Sequence, residues 1–292
     1  MELWKAIVMG IIQGLAEFLP VSSSGHLAIF KHILNIDFET GGIVFDVMLH
    51  MGTLLAIFIA FWSDIKELIF EGFCIVVDCF VNMRRFLGNL LAKRKKPYRN
   101  IVGTPYRRFI MLVIVSTIPT GIIGVVFNDL IEQASSTLIV PGVCLIVTAV
   151  LLHIADNAII GDKDVEDVSY KEAGLVGFAQ GLATLPGLSR SGTTITACRV
   201  LGFDKNFAVK YSFIMSIPAV LGAAVLELGD FSLVGLGTTT FVNYLIGTIV
   251  SAVVGYICIK TMLVIVRKKT FRGFSYYCLL AGAIAIVWHF IG

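Results

Sequence analysis

Glu17, Ser23, His26 and Arg190 are the residues of this chain whose types and spacing invite a reaction. Gln13 and Glu17 stand four residues apart and share one helical face. A buried carboxylate on such a face takes a proton from an attacking group, or ligates a divalent cation, which prefers hard oxygen donors. Ser23 would be the attacking group, with His26 as a second general acid or base beside it. Arg190 carries a permanent charge on a planar fork that matches phosphate oxygens two at a time. Ser22 and Ser24 flank Ser23, and Ser189, Ser191 and Thr194 surround Arg190, so hydroxyls crowd both groups. Structural readings stand beside these. Arg190 would pair with Glu17 only to tie two segments together, Gln13 would be a supporting partner, and His26 a hydrogen-bonded core residue. His50, His153 and His289 are isolated or end an apolar run and are read as structural.

The elements that must position these residues occur twice. Gln13-Gly14-Leu15-Ala16 leads to Pro20 and a serine-glycine turn, and Gln180-Gly181-Leu182-Ala183 leads to Pro186 and another. Pro20 forces Leu19 out of the helical region, and Ser22, Ser23 and Ser24 offer N-caps to the next helix. The halves 3–18 and 24–35 are each too short to cross a hydrocarbon core of ~30 Å, so together they predict a re-entrant hairpin. Non-helical backbone at membrane depth survives only against protein or a water-filled cavity, so two such turns predict one shared site. Helices starting at Ser22–Ser24 and Ser189–Ser191 would aim unpaired N–H groups and positive dipole ends into it. That arrangement binds anions, phosphate first among them. An arginine and a carboxylate placed there in lipid favour function.

Composition sets the class. With 57% hydrophobic and 15% charged residues, the 292-residue chain reads as a polytopic membrane protein, all-α, in one membrane domain. Nucleic acid is not expected as a partner; membrane lipids are. Six cysteines without a CxxC pair give no disulfide or zinc framework and are read as small buried hydrophobes. Gln13 and Glu17 interrupt the apolar amino terminus, which is therefore not expected to be a cleaved signal.

Apolar runs at 45–62, 109–127, 138–153, 207–226, 241–262 and 276–290 predict six transmembrane spans besides the two hairpins. Phe70–Val81 is interrupted by Glu71 and Asp78 and followed by Arg84 and Arg85, so it is read as an amphipathic segment rather than a span. Asn128–Ser136 is read as a short polar turn and Asp156–Glu172 as an acidic loop. Three spans per half, an odd number, predict an inverted-topology repeat, with repeat one over 1–155 and repeat two over 172–292. Lysine and arginine test that order: 63–108 and 263–275 are rich in them, whereas 128–137 and 227–240 hold none. Basic loops lie inside, which places both termini extracytoplasmic.

Gln13-x-x-x-Glu17, Pro20-Val21-Ser22-Ser23-Ser24-Gly25-His26 and Pro186-Gly187-x-Ser189-Arg190-Ser191-x-x-Thr194 resemble the motif set of the undecaprenyl-diphosphatases, the bacitracin-resistance family of bacterial inner-membrane enzymes. The likeness extends to Phe45-Asp46-Val47 and Tyr170-Lys171-Glu172-Ala173. It implies hydrolysis of undecaprenyl diphosphate, or other prenyl diphosphates, to the monophosphate and phosphate. It also implies dependence on magnesium or calcium, recycling of the lipid carrier for cell-wall synthesis, tolerance of bacitracin, and a plasma-membrane location; homodimerisation stays open. By resemblance Glu17 is the acidic catalytic residue and metal ligand, Ser23 the nucleophile, His26 the motif histidine and Arg190 the phosphate-binding arginine. Gln13 stands where the pattern admits Glu or Gln, so the metal would complete its shell from phosphate oxygens and water. The rival reading is a secondary transporter or flippase of phosphate or a lipid phosphate, since such proteins also bind anions at broken helices.

Overall fold

Two prolines decide where the broken helices break. The structure, a computed structural model, describes all residues except 37–41, 92–95, 136, 160, 230–236, 269 and 292. Part of the basic run at 93–96 and much of the 227–240 turn therefore lie outside the described residues. α1 (Leu3–Phe18) stops where Leu19 turns extended, φ −71° and ψ 140°, ahead of Pro20. Ser22 then adopts φ 70°, rare for a residue with a side chain, and caps α2 (Ser23–Ile33) by accepting a bond from Gly25 N at 3.3 Å. α8 (Tyr170–Leu182) and α9 (Arg190–Val200) repeat the device: Ser189 caps α9 by accepting from Gly192 N at 3.1 Å. Gly187 has φ 89°, and a Cβ there would lie 2.3 Å from Pro141 O, so the second turn has room only for glycine.

Six long apolar helices surround these turns: α3 (Gly42–Ala60), α5 (Pro105–Val126), α7 (Ile139–Asn157), α10 (Lys205–Gly229), α11 (Thr238–Lys268) and α12 (Arg272–Ile291). Each is long and apolar enough to cross a bilayer, so the chain is an all-helical, multi-pass membrane protein. Their bounds follow the apolar runs, except that α11 continues helical to Lys268 and shortens the basic turn before α12. The interrupted segment at 70–81 is the middle of one 30-residue helix, α4 (Trp62–Leu91), because its charges recur on one face instead of breaking the helix. The polar turn at 128–136 contains a further helix, α6 (Asn128–Ser135). Of the six cysteines four are buried, but Cys74 is half-buried and Cys79 exposed on α4, against the expectation of six buried hydrophobes.

Helix pairing exchanges between the halves. Gly10 and Gly14 of α1 lie on Gly247, Ser251 and Gly255, so α1 runs parallel to α11. Thr120 Oγ1 donates to Gly177 O and Ser116 Oγ to Ala173 O, both at 2.8 Å, so α8 runs parallel to α5. Small residues let both pairs approach closely: a Cβ on Gly177 would sit 2.0 Å from Ser116 O. α3 is likewise parallel to α11, with Phe45 on Tyr244 and Ser251 Oγ donating to Leu49 O at 3.0 Å, and α10 to α5, with Phe109 on Phe207 and Tyr211 Oη donating to Leu112 O at 3.0 Å. α3 and α10 run opposite ways, since Phe61 after α3 meets Phe213, while Asp64, three residues on, accepts from Lys210 Nζ, three residues earlier in α10. α7 and α12 pack antiparallel, with Asp156 accepting from Phe271 N and Ala149 O from Ser275 Oγ. Phe18, Leu145, Leu152, Phe213 and Met262 join the first hairpin to the long helices in one apolar core.

Candidate active site

Glu17 is the hub at which the two turns meet. It sits in the last turn of α1, buried, and Gln13 one turn earlier is fully buried on the same face. One carboxylate oxygen, Oε1, pairs with Nη2 of Arg190, the first residue of α9. The other, Oε2, accepts from Ser23 Oγ at 2.6 Å and from Gln13 Nε2 at 3.0 Å. Arg190 Nη1 is buried with no hydrogen-bond partner among the described residues. The chain thus brings a hydroxyl, a carboxylate and a half-engaged guanidinium from two distant segments into one contact.

The turns also bind each other directly. Gly187 N donates to Ser24 Oγ at 3.2 Å, Ser24 Oγ lies 3.3 Å from Ser22 Oγ, and Ser191 Oγ donates to Leu19 O at 3.5 Å. Ser189 and Ser191 hydroxyls are 3.4 Å apart. Thr148 of α7 supports the second turn, accepting from Ser189 N at 3.0 Å. The hydroxyls of Ser22, Ser24, Ser189 and Ser191 therefore lie in the two turns that the Glu17–Arg190 pair joins.

Two expected residues make contacts of a different kind. Thr194 is buried, and its hydroxyl is engaged by Arg190 O at 2.8 Å and Ser212 Oγ at 2.6 Å. Its neighbour Thr193 instead has a buried hydroxyl without a partner among the described residues. His26 Nδ1 lies 2.7 Å from Ser22 O and so carries the proton, because a carbonyl only accepts. Its Nε2 lies 2.7 Å from Tyr277 Oη of α12, on which the imidazole stacks at 5.5 Å. Of the two bases weighed for Ser23, Glu17 is the one within hydrogen-bond reach; His26 braces the carbonyl of the strained Ser22.

His50 is the residue that sequence reasoning set aside. From the middle of α3 its Nδ1 stands 2.9 Å from Gln13 Nε2 and 3.7 Å from Glu17 Oε2. Both amide hydrogens of Gln13 are thereby directed, to Glu17 and to His50, and Gln13 Oε1 is left buried with no partner among the described residues. The available signal was its polarity in the middle of a span whose only charged residue, Asp46, lies near its start. Among the described residues no three His, Cys, Asp or Glu gather as a ready-made metal cluster. The hard-oxygen donors present are the Glu17 carboxylate, whose oxygens are engaged by Arg190, Ser23 and Gln13, and the unpartnered Gln13 carbonyl one turn away, donor types that suit magnesium or calcium. An apolar cavity of about 880 Å³ adjoins the site, walled by Leu15, Leu19, Val21, Phe30, Ile265 and Phe274, with His26 and Tyr277 on its polar edge.

Residues 6–284 match the family model described as Bacitracin resistance protein BacA. The chain is 40% identical over 288 residues to an undecaprenyl-diphosphatase of Alkaliphilus metalliredigens, with 99% of each chain covered. It is 39% identical over 287 residues to an undecaprenyl-diphosphatase of Halothermothrix orenii, with 98% of each covered. Undecaprenyl-diphosphatase 4 of Bacillus thuringiensis is 33% identical over 282 residues, 97% of this chain and 95% of the relative.

Proposed function

The chain belongs to the bacitracin resistance protein BacA family, and from that premise we propose that it is an undecaprenyl-diphosphatase. It hydrolyses undecaprenyl diphosphate to undecaprenyl phosphate and inorganic phosphate, which recycles the lipid carrier and confers bacitracin tolerance. The observation that carries the reading is Glu17 held between Ser23 and Arg190 where the two turns touch.

In this reading the diphosphate enters between the turns. Arg190 offers Nη1 at once and turns Nη2 from Glu17 to a phosphate oxygen, so substrate binding itself releases Glu17 Oε1. Helix N–H groups at Ser23 and Arg190 and the hydroxyls of Ser22, Ser24, Ser189, Ser191 and Thr193 complete the anion site. Ser23 passes its proton to Glu17 Oε2 and its Oγ attacks the terminal phosphorus; the bond to the bridging oxygen breaks and undecaprenyl phosphate leaves. Water then cleaves the phosphoserine, and Glu17 returns the proton. A magnesium or calcium ion, held by Glu17 and the Gln13 carbonyl, would neutralise charge on the phosphate oxygens. His50 would keep Gln13 turned so that its carbonyl faces that ion. The prenyl tail would lie in the apolar cavity beside Leu19 and Phe274.

The fold belongs to the same proposal. Residues 1–155 and 172–292 are read as inverted repeats whose hairpins enter from opposite leaflets, both termini extracytoplasmic in the plasma membrane. Support comes from α1 and α3 running with α11 while α8 and α10 run with α5, and from α3 opposing α10. Every group used lies in one chain, so a homodimer is not needed for the chemistry. The test is phosphate release from prenyl diphosphates by purified protein in detergent, with and without a chelator. Release there supports the enzyme; its absence, with phosphate or lipid phosphate moving across reconstituted vesicles, would make the protein a transporter.

A further inference from the structure

α4 is 30 residues long, about 45 Å at 1.5 Å per residue, and only its first part belongs to the bundle. Ile65 and Leu68 pack into the cores, and Asp64 accepts from Tyr106 Oη at 3.1 Å and Lys210 Nζ at 2.5 Å. From Asp64 to Asp78, about 21 Å of helix, its contacts with the start of α5 stay within Thr104–Ile110: Tyr106 with Asp64, Thr104 and Arg107 with Glu71, Ile110 with Gly72, Arg107 again with Asp78. α4 therefore crosses the end of α5 instead of running along it. Since α5 spans the bilayer, α4 extends along the membrane surface.

Its two faces differ. Asn82 exchanges bonds of 2.9 and 2.8 Å with the Arg99 backbone, Asn89 does the same with Lys96, and Asp78 holds Arg99 and Arg107, so the polar face is covered by the chain returning toward α5. On the other face Phe73, Val76, Phe80, Met83, Leu87 and Leu90 recur at spacings of three and four and are each 57–67% exposed. Water does not tolerate so long an apolar stripe, and it continues the lipid-facing surface from Trp62 and Ile69. Charge selects the occupant. From Cys79 to Phe127 the sequence has nine Lys and Arg and no Asp or Glu. A second copy laid on the stripe would bring two such cationic segments together, whereas an anionic bilayer surface would neutralise them.

We infer that α4 is an interfacial helix whose apolar stripe enters the acyl layer while Arg84 and Lys96 bind anionic phospholipid headgroups. The test uses full-length protein in nanodiscs of phosphatidylcholine alone or mixed with phosphatidylglycerol. Replacing Cys74 and Cys79 by Ala leaves four buried cysteines, so Leu87→Cys and, separately, Tyr98→Cys take an environment-sensitive fluorophore. The Leu87 probe should shift to the blue, be quenched by doxyl lipid and resist iodide, more so with phosphatidylglycerol; the Tyr98 probe should remain open to iodide. Arg84→Glu with Lys96→Glu should erase the lipid-composition effect while leaving phosphate release in detergent unchanged, which separates this inference from the enzymatic one. An iodide-accessible Leu87 probe in both lipids, protection without doxyl quenching but with energy transfer between copies, or indifference to the charge reversal would each overturn it.

Discussion

Ser22 and Ser189 hold equivalent places in two turns that diverge at the next residue, Ser23 in one and Arg190 in the other. Each capping serine accepts from a glycine N–H three residues on, and the third hydroxyl, Ser24 or Ser191, reaches across to the opposite turn. One turn before each break stands a glutamine, Gln13 or Gln180, with Oε1 unpartnered among the described residues. The proposed reactive groups are what the repeated motif does not preserve. Glu17 aligns with Thr184, whose hydroxyl is spent on Gly181 O at 2.7 Å, and His26 aligns with Thr193. In the proposed mechanism the first turn supplies nucleophile and base, and the second supplies the cation. A common scaffold thus places two N-terminal dipoles at one spot, and the division of side chains means that the proposed reaction needs both halves folded together.

The steepest way to break this division is to remove the cation. Arg190→Ala should lower phosphate release by about 10³-fold or more, since one preorganised donor to a phosphoryl or acyl transition state is worth roughly 10²–10³ and Arg190 also brings charge. Arg190→Lys should restore little, because the two-pronged fork is lost. Initial rates in detergent check both; near-normal turnover in either would make the ion pair with Glu17 structural and leave the second turn without a chemical task.

On the first turn, Glu17→Gln should cost about 10²–10⁴-fold, the range for a general base, with KM little changed. Ser23→Ala should fall by a similar factor and lose any acid-stable phosphoenzyme trapped from labelled substrate. If Ser23→Ala keeps most activity while Glu17→Gln does not, water is the nucleophile and the turn contributes only a base.

Much of this site could be read from the sequence, because a proline followed by serines in an apolar chain has few physical solutions. Pro20 and Pro186 had to end helices, their serines had to cap the next ones, and a buried Glu17 and Arg190 had to find each other. His50 could not be found that way: it lies 33 residues beyond Glu17 in a separate helix, and only tertiary packing turns it toward Gln13. Thr194 was expected to face the phosphate, but a threonine within a helix can bond back to the carbonyl four residues earlier, and here it does, with Ser212 completing the arrangement. The extent of α4 was hidden because Glu71, Asp78 and Arg85 read as interruptions along the chain, although seven-residue spacing places them on one helical face.

A finer comparison concerns the two glutamines. Gln13 is directed by His50 and Glu17, whereas Gln180 donates to Thr120 Oγ1 at 3.2 Å and is bonded to no carboxylate among the described residues. His50→Ala should therefore weaken divalent-cation binding and activity by about 10–100-fold, as loss of an outer-shell partner does. Gln13→Glu, a ligand with no amide to orient, should make His50→Ala much milder. Cation titration calorimetry alongside rates checks this; equal His50→Ala losses in both backgrounds would deny His50 its orienting role. Gln180→Ala should leave cation affinity unchanged.

The smallest expected effect concerns how the two hairpins begin. α1 starts at Glu2 without a side-chain cap, whereas α8 starts in a full capping box: Ser169 Oγ accepts from Glu172 N at 3.2 Å, and Glu172 Oε2 accepts from Ser169 N at 2.8 Å. Lys163 Nζ adds a bond to Glu172 Oε1 at 2.5 Å. Burial pushes the Glu172 carboxyl up, but Lys163 and Ser169 outweigh it and hold the group below its ordinary value of 4.5. A carboxyl lowered on folding stabilises the fold at pH above the ordinary value, and that contribution drains away as pH falls through the folded, lower one. Glu172→Ala should thus cost about 1 kcal/mol near neutrality, the usual worth of a helix cap. In thermal unfolding followed in detergent, the gap between variant and parent should close as the pH is brought below the carboxylate range. Glu2→Ala, at a helix start without a side-chain cap, should open a smaller gap near neutrality; a gap of equal size would mean that the two hairpins are anchored alike at their outer ends.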